Sequence, residues 1–119
     1  MAKILVVEDD LLIGAWVEET LLAAGYEVTS ASDADQAIRI LEKDPGISLV
    51  FTDIDMPGTM DGLKLAAAVR NRWPPAHIVI ASGMYRPRAD EMPVRSVFLQ
   101  KPYMPNDVLG ALNEAARTS

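Results

Sequence analysis

Short apolar runs that alternate with helix-patterned segments constrain the fold of this chain most strongly. Five such runs predict strands, and the first, third and fourth are apolar throughout. Continuous apolar runs are typical of strands that are covered on both faces, as in a parallel sheet flanked by helices. Repeated strand–helix units with right-handed crossovers build an open, doubly wound sheet. The pattern therefore predicts an α/β fold.

Capping and breaking residues set the limits of the predicted elements. Gly25 is expected to end the first helix, Asp33 to cap the second, and Pro74-Pro75 to stop the third. Pro105 suits the first turn of the last helix. The predicted strands are Lys3–Val7, Tyr26–Ala31, Leu49–Thr52, Ile78–Ala81 and Val97–Gln100, and the predicted helices are Leu11–Ala24, Ala34–Lys43, Gly62–Arg72 and Pro105 to about Arg117.

The segment Met84–Val94 fits this pattern badly, because it contains Pro87 and Pro93. Proline inside a helix removes a hydrogen bond and clashes with the preceding turn. The helix that is expected between the fourth and fifth strands must therefore be short, distorted or absent.

Composition limits the class of protein. With 119 residues the chain has the size of one domain, and we expect residues 1–119 to form a single domain with no effector domain. The chain has no cysteine, which excludes disulfides and zinc-thiolate sites. No apolar stretch has the length of a membrane span, so a cytoplasmic location is expected. The net charge of −6 argues against direct nucleic-acid binding, which needs a basic surface.

Carboxylates follow two of the apolar runs, with Glu8-Asp9-Asp10 after the first and Asp53 after the third. Because the C-terminal ends of parallel strands share one edge of the sheet, these carboxylates are expected to converge. Clustered carboxylates take up protons or bind a cation, and Mg²⁺ prefers a few carboxylate oxygens together with water and phosphate oxygens. We expect a Mg²⁺ site with Asp9 and Asp53 as direct ligands and Glu8 nearby. Asp10 is a better candidate for the cap of the first helix.

Asp53 is also a candidate phosphoryl acceptor. It is expected to be the last strand residue before a loop that contains Pro57 and Gly58, so its side chain should project from the sheet edge. A carboxylate can accept a phosphoryl group as an acyl phosphate, and the charge of the transferred group must be neutralised. Lys101, which precedes Pro102 after the fifth strand, is the candidate for the neutralising cation.

Two further residues each allow two interpretations. Ser82 ends the fourth strand before Gly83. Its hydroxyl either donates to a phosphoryl oxygen or bonds the backbone of its own turn. Phe98 is either an ordinary core residue or a side chain whose rotamer reports on Ser82.

These motifs together resemble the response-regulator receiver domains of two-component signalling over essentially the whole length of the chain. The matching residues are Glu8-Asp9 after ILVV, Asp53 within VFTDIDMPGTMDGL, Ser82 in IASG, Phe98, and Lys101-Pro102. The resemblance implies a flavodoxin-like, CheY-like sheet of order 2-1-3-4-5. It also implies a phosphoprotein switch rather than a separate enzyme. Mg²⁺-dependent phosphotransfer from a histidine kinase or a histidine phosphotransfer protein would form an aspartyl phosphate on Asp53.

The resemblance implies how the metal would be held. Asp9 and Asp53 would bind Mg²⁺ directly. Glu8 would bind it through water, and Asp55 through its backbone carbonyl. The side chains of Asp55 and Met84 occupy the positions that tune the lifetime of the phosphoryl group in the family. An acid at Asp55 is expected to alter water access and local charge, and the sequence assigns no sign to the effect.

The resemblance also implies how the signal would leave the site. Ser82 and Lys101 would bind the phosphoryl group, and Ser82 and Phe98 would then switch together. The change would reach the face that the fourth helix, fifth strand and fifth helix form in such domains, where an unidentified downstream protein would bind. The chain itself is expected to be a monomer or a weak homodimer.

Two other functions stay open. One is a binding module that keeps the receiver fold but works without phosphorylation, which the proline-broken helix favours. The other is a phosphohydrolase of the haloacid-dehalogenase type, because Asp53-Ile54-Asp55 is followed by a serine and a lysine on later strands. Against the second stand Pro57, where those enzymes have Thr or Val, and Asp107, the acid that follows the lysine, which lies in a predicted helix.

Overall fold

The computed structural model describes residues 2–55, 62–83 and 85–117 of the chain. In these ranges five parallel strands form one sheet, namely β1 (Lys3–Val7), β2 (Glu27–Ala31), β3 (Leu49–Asp53), β4 (His77–Ser82) and β5 (Ser96–Gln100). Their order is β2-β1-β3-β4-β5, which confirms the predicted flavodoxin-like α/β fold. The helices are α1 (Leu11–Ala23), α2 (Ala34–Lys43), α3 (Gly62–Arg72) and α4 (Pro105–Arg117). None of the helices in the described ranges is long and apolar enough to cross a membrane.

The side chains of the strands divide between two apolar cores, one on each face of the sheet. Leu5 and Ile80 pack with α2 and α3, whereas Ile4 and Phe51 pack with α1 and α4. The division follows from the alternation of side chains along a strand. Because both faces are covered, the three central strands β1, β3 and β4 are mostly apolar and buried, as the sequence pattern indicates. Complete burial of Phe51 stabilises the fold by roughly 1.5–3 kcal/mol relative to an exposed side chain.

Three residues chosen from the sequence as helix ends have that role. Asp10 caps α1, because its Oδ1 accepts from the N–H of Leu12 at 3.0 Å and of Ile13 at 3.1 Å. Asp33 caps α2 in the same way. Gly25, two residues after α1, has a φ of 97°, a left-handed conformation that glycine adopts without strain. The cap interpretation of Asp10 is therefore confirmed.

Asp53 and Ser82 are the last residues of β3 and β4, as expected from the sequence, and each strand runs one residue past the range predicted for its apolar run. Asp53 pairs with Ala81, and Ser82 pairs with Gln100. A parallel ladder uses only backbone groups, so a polar side chain at the strand end does not interrupt it. Gly62 fits closely against this strand end, since a Cβ at Gly62 would lie 2.6 Å from the Cα of Ile54. Both functional candidates are thus held in a defined register.

The connection from β4 to β5 has a 3₁₀ turn, Ala89–Glu91, in place of a helix. Residues 85–95, which the structure describes, contain no α-helix, so the prediction of a short, distorted or absent helix is confirmed for them. The N–H of Arg88 donates to Glu91 Oε1 at 2.8 Å, and the Tyr85 hydroxyl donates to the same oxygen. Helix α4 therefore corresponds to the fifth helix of the resemblance, and residues 85–95 take the place of the fourth.

Candidate functional site

Three acidic side chains meet at the C-terminal edge of the sheet. Glu8 follows β1, and Asp53 ends β3, the strand beside it. Carboxylate oxygens of Glu8, Asp9 and Asp53 lie within 4.8 Å of one another. Glu8 and Asp53 are buried, with 5% and 2% of their surface exposed, whereas Asp9 is exposed. The parallel topology thus brings together the acids that the sequence singles out.

Lys101 lies against the two buried acids. Its Nζ donates to Asp53 Oδ2 at 3.0 Å and to Glu8 Oε1 at 3.3 Å. The backbone N–H of Lys101 continues the ladder beyond β5 by donating to the carbonyl of Ser82 at 3.0 Å. One ammonium faces three carboxylates here, so the cluster carries an excess of negative charge that a cation would offset.

The protonation of the site reflects this crowding. Burial raises the pKa of Glu8 to about 7, although the hydrogen bond from the Asp10 N–H opposes the rise and the nearby Asp53 carboxylate adds to it. For Lys101, burial lowers the pKa, but the hydrogen bond to Asp53 and the charges of both acids outweigh burial, and the net pKa is raised. Lys101 therefore keeps its proton and its positive charge in the cluster.

The side chain of Asp55 occupies two hydrogen-bond donors beside Asp53. Its Oδ1 accepts from the Ser82 hydroxyl at 2.8 Å, and its Oδ2 accepts from the Gly83 N–H at 3.0 Å. The N–H of Asp55 donates to Asp53 Oδ1 at 2.9 Å. Sequence reasoning considered the backbone of Asp55 and its local charge but missed these contacts. The register in which Asp53 pairs with Ala81 brings these residues together, and no local pattern in the sequence gives that register.

Ser82 has features of both interpretations. It is fully buried, and its hydroxyl oxygen accepts from the N–H of Tyr85 at 2.9 Å, which is the contact of a turn serine. The same hydroxyl donates to Asp55 at the edge of the acidic cluster. A role in phosphoryl binding therefore stays a prediction.

Phe98 lies on β5, is partly buried and packs against the core formed with α2 and α3. The guanidinium of Arg86 lies 5.1 Å from its ring centroid. One side of the Phe98 ring thus packs against the core, and another side is covered by the Arg86 guanidinium. Coupling of the Phe98 rotamer to Ser82 stays a prediction. Two predicted features, the loop with Pro57 and Gly58 and the side chain of Met84, lie outside the described residues.

An open cleft of about 870 Å³ contains the acidic cluster and extends over an apolar wall. The wall includes Tyr103, whose ring contacts Phe51 edge-on at 5.9 Å and Trp16 at 5.7 Å between centroids. The Tyr103 hydroxyl is buried and has no hydrogen-bond partner among the described residues. Burial, followed by the charges of Glu8 and Asp53, raises the pKa of Tyr103 above its usual value. Sequence reasoning did not select this residue.

The acidic donors fit Mg²⁺. The ion prefers hard oxygen ligands, binds through one or two carboxylates and keeps several waters. Here the carboxylates of Asp9 and Asp53 lie close together, and Asp9 faces solvent at the cleft, where water and phosphate oxygens have access. The donor set is thus suited to Mg²⁺ beside a phosphoryl group.

Comparison with known proteins identifies the family. The sequence model of the response regulator receiver domain family matches residues 4–113 of this chain. The response regulator protein FleR of Pseudomonas aeruginosa is 40% identical over 73 residues, which cover 61% of this chain and 15% of FleR. A response regulator receiver protein from Sinorhizobium medicae superposes with a TM-score of 0.90 at 29% identity, covering 98% of this chain and 94% of that one. The chemotaxis response regulator CheY4 of Vibrio cholerae gives a TM-score of 0.85 at 30% identity, covering 97% and 98%.

The chain belongs to the response regulator receiver domain family, which confirms the resemblance stated from its motifs. Receiver domains are signalling domains of two-component systems, and they interact with histidine kinases or phosphotransfer proteins. Membership of this family argues against the haloacid-dehalogenase interpretation. The match with FleR spans only 15% of that longer protein.

Proposed function

We propose that this chain is a phospho-acceptor switch whose Asp53 takes a phosphoryl group from the phosphohistidine of a histidine kinase or phosphotransfer protein. The observation that carries the proposal is the buried Asp53 carboxylate, which faces the open cleft with Lys101 Nζ at 3.0 Å. A cation at this distance neutralises charge on both the acceptor and the incoming group. The family match adds independent support.

The transfer needs little from the protein beyond position and charge. A carboxylate oxygen of Asp53 forms the new P–O bond while the P–N bond of the phosphohistidine breaks and the imidazole leaves. The Asp55 N–H holds one oxygen of Asp53 and Lys101 holds the other, which orients the acceptor. We assign Asp9 and Asp53 as direct Mg²⁺ ligands, Glu8 as a ligand through water, and Asp55 as a ligand through its carbonyl. Bound there, Mg²⁺ would neutralise the oxygens of the transferred group.

The output is proposed at the face formed by residues 85–95, β5 and α4. Ser82 would donate to the phosphoryl group, and Phe98 would change its packing in response. Ser82 accepts from the N–H of Tyr85, and Arg86 covers the Phe98 ring, so both switch residues contact this segment. A protein partner would bind this face differently in the phosphorylated and the unphosphorylated protein. We expect a monomer or weak homodimer and a cytoplasmic location, where the chain meets its kinase.

A phosphorylation-independent binding module is the second candidate. The observation that favours it is the 3₁₀ turn in place of the fourth helix. Under this alternative, Asp53→Asn would leave binding of the downstream partner unchanged.

The decisive experiment is intact mass after incubation with acetyl phosphate, with and without Mg²⁺. Wild type should gain one base-labile phosphoryl group only with Mg²⁺, and Asp53→Asn should gain none. Asp90→Asn changes an exposed aspartate that neither belongs to the acidic cluster nor lines the cleft, so it is the matched control and should behave as wild type. An adduct that persists in Asp53→Asn would contradict the assignment. If no adduct forms, titration with beryllium fluoride separates a short-lived phosphoryl group, where the anion binds, from a domain that signals without one.

A further inference from the structure

We propose that the Asp55 carboxylate is an internal anion that occupies the phosphoryl-binding donors of the resting site and must leave them when Asp53 is phosphorylated. The proposal rests on the proposed function, since it concerns the same site. It gives the side chain of Asp55 a role of its own, separate from that of its backbone carbonyl.

Both oxygens of the Asp55 carboxylate are engaged by donors at the end of β4. The Ser82 hydroxyl lies 2.8 Å from Oδ1, and the Gly83 N–H lies 3.0 Å from Oδ2. Asp55 and Gly83 line the same cleft as Asp53 and Lys101. A Cβ at Gly83 would lie 3.1 Å from the Lys101 Cβ, which places the Gly83 backbone directly beside the lysine. The Asp55 carboxylate thus lies between the C-terminal ends of β3, which carries Asp53, and β4.

A phosphoryl group on Asp53 would compete with Asp55 for these donors. A serine hydroxyl has one proton, so Ser82 donates either to Asp55 or to a phosphoryl oxygen. A phosphoryl group carries a charge of about −1.5 to −2 at neutral pH, which repels a neighbouring carboxylate. The Asp55 N–H already bonds Asp53, so the backbone stays near the acceptor while the side chain rotates away. Phosphorylation and the resting contact are therefore mutually exclusive.

Release of Asp55 would be transmitted along a chain of hydrogen bonds. Ser82 joins Asp55 on one side to the Tyr85 N–H on the other, at 2.8 and 2.9 Å. The Tyr85 hydroxyl in turn donates to Glu91, which also holds the Arg88 N–H. When the Ser82 hydroxyl turns from Asp55 to the phosphoryl group, its contact with Tyr85 changes as well. The site is thus connected to the 3₁₀ turn without an intervening helix.

Helix α3 holds the end of the segment that leads from the 3₁₀ turn into β5. The guanidinium of Arg70 on α3 donates to the carbonyls of Val94 at 2.9 Å and Arg95 at 3.2 Å. Because the segment is held at residues 94 and 95, we expect the backbone change that begins at Ser82 to fall mainly in residues 85–91, beside the Phe98 ring that Arg86 covers.

The test compares Mg²⁺-dependent binding of beryllium fluoride, a phosphoryl mimic, by calorimetry. Asp55→Ala should bind the anion roughly tenfold more tightly than wild type, because a charge-assisted hydrogen bond need not be broken first. Asp55→Asn, which keeps the shape but loses the charge, should fall between the two. Both variants retain the backbone carbonyl, so the metal site is preserved. Asp35→Ala, an exposed aspartate on α2, controls for net charge and should match wild type. Equal or weaker binding by Asp55→Ala overturns the proposal.

A second measurement tests the resting contact without metal or anion. Amide hydrogen exchange at Gly83 should be accelerated about tenfold in Asp55→Ala and unchanged in Asp35→Ala, because only the first loses the acceptor. Unchanged exchange at Gly83 in Asp55→Ala overturns the contact itself. If exchange is accelerated but neither wild type nor Asp55→Ala binds beryllium fluoride, the phospho-acceptor function and the competition are contradicted while the contact stands. The two failures are thereby distinguished.

Discussion

The Nζ of Lys101 lies 3.0 Å from Oδ2 of Asp53, although the two residues are 48 positions apart in the chain. Asp53 ends β3 and Lys101 follows β5, so the contact crosses the end of β4, which lies between these strands. Both side chains are largely buried, with 18% of the side-chain surface exposed for the lysine and 3% for the aspartate. The pair therefore connects the outer strand of the sheet to its centre at the point where the acceptor is presented.

Loss of the lysine should destabilise the fold. We expect Lys101→Ala to lower the free energy of unfolding of the metal-free protein by about 1–3 kcal/mol, because the buried Asp53 carboxylate and the neighbouring Glu8 lose the ammonium that bonds them. The loss is smaller than for a fully buried ion pair, because the lysine side chain is partly exposed. Urea denaturation at neutral pH measures the change. Lys43→Ala, at an exposed position of α2, should have a smaller effect, and equal effects would mean that the buried pair contributes nothing special.

The adjacent residues Asp9 and Asp10 should have separable roles. Asp9→Asn is expected to weaken Mg²⁺ binding with little loss of stability, because Asp9 is exposed and belongs to the acidic cluster. Asp10→Ala is expected to lower the free energy of unfolding by about 1 kcal/mol through loss of the α1 cap while Mg²⁺ binding persists. Calorimetric Mg²⁺ titration and urea denaturation of both variants check this. A Mg²⁺ titration of Asp9→Asn that matches wild type would remove Asp9 from the metal site.

Glu8 should make the stability of the metal-free protein depend on pH. Burial raises its pKa in the folded state from an ordinary value of 4.5 to about 7, so the folded protein holds the proton more tightly than the unfolded chain. The stabilisation of the fold by the proton on Glu8 is complete below pH 4.5 and is lost as the pH rises through about 7. Glu8→Gln stays neutral and should keep it, so the variant gains stability over wild type across this window. Thermal denaturation in a chelator tests this, and a difference that is independent of pH would contradict it.

The hydroxyl of Tyr103 is expected to lower the free energy of unfolding. It is buried and lacks a hydrogen-bond partner within the described part of the chain. Removing an unsatisfied buried polar group is expected to raise the free energy of unfolding of Tyr103→Phe by about 1 kcal/mol. Tyr85→Phe is a useful contrast, because its hydroxyl donates to Glu91 and its loss should leave stability unchanged or lower. A destabilised Tyr103→Phe would show that the hydroxyl has a partner in solution.

Local patterns predicted most of the fold because they act over a few residues. Continuous apolar runs identified the buried strands, Asp10 and Asp33 identified helix starts, and prolines in the segment Met84–Val94 indicated that no regular helix forms there. Strand topology then predicted the convergence of carboxylates, because the ends of parallel strands share an edge.

The sequence by itself thus determined the architecture, the family and the set of acids at the sheet edge. Only the tertiary structure decided that the Asp55 carboxylate binds Ser82 and Gly83, that Tyr103 lines the cleft of the acidic cluster, and how strongly Glu8 holds its proton. Asp55 and Ser82 are 27 positions apart, so their contact depends on the register of two strands and on side-chain rotamers that no local pattern encodes. Protonation likewise depends on burial, which is a property of the packed molecule rather than of any segment.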